Sequence, residues 1–132
     1  MIGEKANAMR TPMRSVRGLG AAGSGTHHFW WQRVTGVALI SLNVFFVVIA
    51  IALLGRNHAA VVQILGSPVV AILMLLFIVT TVYHMWIGMQ EILLDYVHHD
   101  LWKLFMLMAN TFFCFCVGFA CAFAVLKLSF GV

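Results

Sequence analysis

The residues able to do chemistry stand close together in "TVYHMWIGMQEILLDYVHH", residues 81–99. His84, Gly88, Glu91 and Asp95 step by four, three and four positions. On a helix this spacing draws one stripe, with Tyr96 beside its end. The other faces carry Ile, Leu, Val, Met and Trp. Charged groups at membrane depth usually face protein or water, so the stripe is expected to face the interior of an assembly. Two chemistries fit His84. A neutral imidazole can hydrogen-bond to a neighbouring helix, or it can serve as an axial ligand to haem iron. Gly88, one turn further, would leave clearance for a porphyrin, although close helix packing also uses small residues. From His84 to Tyr96 is about 18 Å of helix. With Asp95 and Tyr96 at a membrane surface, His84 lies near mid-depth. A tyrosine there is either an aromatic-belt anchor or a hydroxyl held beside a carboxylate to donate to a carbonyl.

The elements that must position these groups are apolar. The chain has 132 residues, 63% hydrophobic and 9% charged, whereas water-soluble domains carry about 25% charged residues. Three runs exceed the roughly 20 residues that cross a bilayer as a helix. They are "VTGVALISLNVFFVVIAIALL", "VVAILMLLFIVTTVYHMWIGMQEILL" and "LFMLMANTFFCFCVGFACAFAVL". With their flanks, the spans are expected at about 30–54, 69–94 and 101–127. Helices satisfy the backbone in hydrocarbon, so the expected fold is all-α: a single membrane unit over residues 1–132, three transmembrane helices, part of a larger helical bundle. Little chain remains for a soluble domain. The first run begins too late and is too long for a secretory signal. A basic N-terminus could mimic a transit peptide, but it contains Glu4, and a bacterial cytoplasmic membrane is the simpler expectation. Cys114, Cys116 and Cys121 lie in the third run without a C-x-x-C pair and read as small apolar residues.

Five of the eight basic residues, Lys5, Arg10, Arg14, Arg17 and Arg33, precede or open the first span. The positive-inside rule then puts the N-terminal segment, residues 1–28, in the cytoplasm. Loop 55–68 falls outside, 95–103 inside and the C-terminus outside. Topology thus explains the net charge of +4 without nucleic acid. Gly55, Asn57, Gly66 and Pro68 punctuate the first loop, with room for a short interfacial helix at 58–65. "DYVHHDLWK" should make a tight helical hairpin, with Asp100 as the cap of the third span. The first 26 residues, rich in glycine (Gly18, Gly20, Gly23, Gly25), read as flexible.

Taken together, "HMWIGMQEILLDYV" and the preceding "HHFWWQRVTGVAL" resemble the small hydrophobic anchor family of succinate dehydrogenase (complex II). The resemblance covers nearly the whole chain: length, three spans, orientation and both motifs. It implies that His84 is an axial ligand to a b-type haem shared with a larger anchor subunit, which brings the second histidine. It implies that Tyr96 donates to a ubiquinone carbonyl with Asp95 shaping the site, and that Arg33 and His27 lie near the haem propionates, with Gly88 making room. Arg33 opens span one on the same side as Tyr96, where a propionate would need a cation; a snorkelling interfacial arginine is the plainer alternative. His28 stands where some relatives carry aspartate, and Glu91 where some carry an amide; His58, His98 and His99 read as loop histidines.

The resemblance also implies that FAD and iron–sulfur clusters reside on a flavoprotein and an iron–sulfur subunit. This chain has no G-x-G-x-x-G after a strand and no suitable cysteine set, and no catalytic residue is expected on it alone. The rivals are a cofactor-free assembly subunit of a respiratory complex and a small transporter using Glu91 and Asp95. The second would want charges in spans one and three, which are nearly free of them.

Overall fold

The computed structural model describes Met13 and residues 25–131. They form α1 (Gly25–Leu53), α2 (His58–Leu65), α3 (Pro68–Tyr96) and α4 (Asp100–Phe130), and the described residues contain no strand. The long helices have 29, 29 and 31 residues, about 43–47 Å at 1.5 Å per residue. A hydrocarbon core is about 30 Å thick, so all three can cross a bilayer and extend into its interfaces. Their many Val, Ile and Phe residues are mediocre helix formers in water. In hydrocarbon the backbone has no competing partner, and the helix is imposed. The fold is that of an all-α, multi-pass membrane protein.

Lys5, Arg10, Arg14, Arg17, Gly18, Gly20 and Gly23 lie outside the described residues. Gly25 opens α1, so His27 and His28 stand in its first turns rather than in a segment before it.

The connections follow local chemistry. The chain leaves α1 through Gly55, whose φ of +71° favours glycine. Asn57 caps α2 by accepting from the Ala60 N–H at 2.9 Å, so the short helix expected at 58–65 is present. At its far end a Cβ on Gly66 would lie 2.8 Å from the Val62 carbonyl and 2.9 Å from that of Leu128. Only glycine lets α2 abut the end of α4 there. Pro68 opens α3 at the position where its missing N–H has no helical partner. Val97–His99 alone separate α3 from α4, a tight hairpin.

One expectation is corrected here. Asp100 is the first helical residue of α4, and His99 occupies the cap without a side-chain bond. His99 carries the extended backbone a cap needs, with φ −84° and ψ 118°. Asp100 contributes instead as a negative charge in the first turn, opposite the helix's positive end.

α3 is the helix against which both α1 and α4 pack. Phe46 of α1 stacks on Phe77 of α3 with centroids 5.0 Å apart. Trp31 meets Tyr83 edge-on at 6.1 Å. Toward α4, Val82 lies against Gly118, where a Cβ would come within 3.3 Å of it. Asn110 donates to the Trp86 carbonyl, and the Trp86 indole to Thr111, both at 3.2 Å. Few side chains are buried: Thr35, Leu42, Ala71, Ile87, Asn110 and Cys114. Most of the apolar surface faces outward, as lipid or neighbouring helices require.

Candidate functional site

Contacts pair Phe46 with Phe77, Thr35 with His84, and Gln32 with Gly88. α1 and α3 are therefore antiparallel, and the start of α1 lies along the stretch of α3 that carries the stripe. At this level α1 turns Thr35 and Gln32, three residues apart and hence on one face, toward His84.

The Thr35 hydroxyl lies 2.7 Å from the Trp31 carbonyl and 2.8 Å from His84 Nδ1. It has one proton. Given to His84, that proton would leave two lone pairs facing each other across 2.7 Å at Trp31. Given to the Trp31 carbonyl, it leaves an oxygen lone pair to accept an N–H from His84. The second arrangement satisfies every atom. His84 is then the Nδ1–H tautomer, and Nε2 keeps its lone pair. The nearest side-chain donor to Nε2 is the Gln32 amide at 3.5 Å, the outer limit of a hydrogen bond. Gln32 Oε1 is buried and has no partner.

One glycine borders the imidazole and another borders its neighbour Gln32. A Cβ on Gly36 would stand 3.5 Å from His84 Cε1, and one on Gly88 would stand 3.2 Å from Gln32 Nε2. The space that Gly88 leaves thus holds the far end of the Gln32 side chain, which is flexible. Gln32 also lines an adjoining cavity of about 410 Å³ with His28, Phe29, Arg33 and Glu91. Arg33 lies over the Phe29 ring at 4.2 Å. His27, one turn before Trp31, accepts the Trp31 indole N–H on Nε2 at 2.8 Å, so its remaining proton is on Nδ1. One cation and several imidazoles therefore gather near the start of α1.

The stripe divides along its length. His84 and Gly88 are partly covered by α1, whereas Glu91, Asp95 and Tyr96 are exposed on the single chain. Tyr96 is 79% exposed at the end of α3. Cys114 is buried, with Sγ 3.5 Å from Asn110 Oδ1, and Cys116 and Cys121 are exposed. No group of three or more His, Cys, Asp and Glu converges among the described residues. At His84 a metal would meet one imidazole nitrogen, Nε2. One imidazole is a donor that fits a haem, in which the porphyrin would supply most of the iron's ligands.

Gln32, Thr35 and Asn110 were not singled out from the sequence. The available signal was their polarity within otherwise apolar runs, where such side chains bridge helices.

Three membrane-crossing helices with an imidazole held between two of them define a class of membrane subunit, and the sequence comparisons give its family. Residues 7–125 match the family described as succinate dehydrogenase/fumarate reductase transmembrane subunit. The chain belongs to this family, as a membrane anchor subunit of an oxidoreductase complex. It is 30% identical over 86 residues to the succinate dehydrogenase hydrophobic membrane anchor subunit of Paracoccus denitrificans, covering 65% of this chain and 67% of that one. The subunit of the same name from Rickettsia bellii is 27% identical over 88 residues, 67% of this chain and 70% of the relative. That of Rickettsia conorii is 28% identical over 109 residues, 80% and 83% of the two chains. No solved structure matches the chain.

Proposed function

We propose that this chain is the smaller membrane anchor of a succinate:ubiquinone oxidoreductase. In this reading His84 is one axial ligand of a b-type haem, and Tyr96 with Asp95 borders the quinone. The observation that carries it is the His84 imidazole, oriented by Thr35 with its Nε2 lone pair retained. Gly36 borders the ring, and the space beside Gly88 holds only the end of Gln32, which can swing aside. Bound haem would supply a one-electron redox centre within the membrane. Arg33 and His27, near the start of α1, bring positive charge and an N–H toward propionates.

With one imidazole on this chain, the other protein ligand of the haem would come from a larger anchor subunit. Succinate oxidation needs a flavoprotein with FAD and an iron–sulfur subunit, docked on the face that carries Tyr96. The Tyr96 hydroxyl, exposed for a partner or quinone, donates to a quinone carbonyl, and that bond strengthens as negative charge develops on the oxygen. The basic N-terminus supports an orientation with this face in the cytoplasm of a bacterial inner membrane.

A cofactor-free assembly subunit is the second reading. It is favoured by the fact that Thr35 and Gln32 already offer His84 partners within the chain. A reduced-minus-oxidised visible spectrum of the purified complex separates the two. The haem reading expects b-type bands that disappear in His84→Ala, and bands surviving that change refute it.

A further inference from the structure

Thr35 has no place in the reading above except as a hydrogen-bond partner, yet its position constrains the one atom of His84 that would meet iron. Thr35 is buried, at 7% exposure, on the face of α1 packed against α3. Its hydroxyl is bound back to the carbonyl four residues earlier at 2.7 Å. That bond holds the side-chain rotamer and turns an oxygen lone pair toward His84 Nδ1 at 2.8 Å. Gly36, the next residue, also borders the imidazole, where a Cβ would stand 3.5 Å from Cε1.

We propose that Thr35 is a positioning residue for the ligand imidazole, fixing its tautomer and orientation through the bond at Nδ1 and so strengthening Nε2 as an electron donor to iron. The proposal rests on the reading of His84 as a haem ligand. The physical reason is general. A ligand histidine whose other ring nitrogen donates a hydrogen bond is a stronger electron donor and a better-oriented one. A more strongly donating imidazole favours ferric over ferrous iron and so lowers the reduction potential. Losing the acceptor frees the ring to rotate and to exchange tautomers, and the other tautomer carries a proton on the atom that would bind iron.

The test uses the complete purified complex carrying Thr35→Val, Thr35→Ala or Thr35→Ser, with His84→Ala as reference. Three quantities are read: haem per flavin, the midpoint potential of the b-type bands, and subunit stoichiometry. Val and Ala remove the acceptor, whereas Ser keeps it. The expected result is a haem affinity reduced by about ten- to a hundredfold in Val and Ala, with the potential of retained haem shifted upward. Ser should return both to the wild-type values.

Wild-type haem content and potential in Val or Ala would overturn the proposal. So would equal shifts in Val, Ala and Ser, which would show that any change of this side chain, and not loss of the acceptor, moves the haem. Assembly of Ser alone, with Val and Ala failing to assemble, would make the hydroxyl a structural group and equally overturn the proposal. Failure of the underlying reading looks different: b-type bands that persist in His84→Ala, or a wild-type complex without them.

Discussion

Asn110 of α4 donates its side-chain amide to the main-chain carbonyl of Trp86 in α3 at 3.2 Å. Trp86 lies two residues beyond His84, so α3 is tied at one level to α1 through the imidazole and to α4 through the carbonyl. Lipid gives helices no hydrophobic reason to associate, and such polar ties carry a disproportionate share of the specificity. Asn110→Leu, close in volume, should lower stability by about 0.6–1.7 kcal/mol. Thermal unfolding of the purified complex in detergent should show a lower midpoint, with the haem spectrum of the folded fraction unchanged. An unchanged or raised midpoint would contradict this tie.

Two crowded glycines, Gly66 and Gly118, should rank in a definite order. A Cβ at Gly66 meets two backbone carbonyl oxygens, at 2.8 and 2.9 Å. Neither can retreat without moving α2 or α4. A Cβ at Gly118 meets Val82 methyl groups at 3.3 and 3.4 Å, and a shift of a few tenths of an ångström relieves it. Gly66→Ala should therefore cost about 1–3 kcal/mol and Gly118→Ala less, measured by the same unfolding experiment. The reverse order would show that the α2–α4 approach is looser than described.

Gly88 offers a test of occupancy. Its neighbour is the mobile end of Gln32, so the helix pair should tolerate a side chain there. The space a porphyrin needs would not survive it. Gly88→Leu should reduce haem per flavin while subunit stoichiometry stays normal, and Gly88→Ala should do so weakly. Normal haem content in Gly88→Leu would show that the cofactor does not use this face.

Tyr96→Phe isolates the hydroxyl. Quinone reduction should slow by up to about tenfold, corresponding to a hydrogen bond of about 1.4 kcal/mol. Succinate oxidation with an artificial acceptor should persist, because it bypasses the membrane end. Equal loss of both activities would point to faulty assembly instead.

The fold was largely legible because the bilayer admits few solutions. Apolar runs of this length become helices, and Asn57, Gly66 and Pro68 marked their ends as turn chemistry requires. Asp100 was misplaced by one position because caps depend on backbone angles that composition does not reveal. The stripe from His84 to Asp95 was visible as a period on α3. Its partners were not, since Gln32 and Thr35 sit some fifty residues earlier on α1. Pairing between helices depends on their relative rotation, and a single sequence gives no measure of it. Gly88 illustrates the consequence: its place on the stripe was legible, but the presence of Gln32 beside it was not.

The most direct measurement concerns His84. Purified complex carrying His84→Ala, matched to wild type in flavin content and subunit stoichiometry, should lack the b-type bands in its reduced-minus-oxidised spectrum. Undiminished bands at the same positions would place the iron on other residues and leave this imidazole a bridge between two helices.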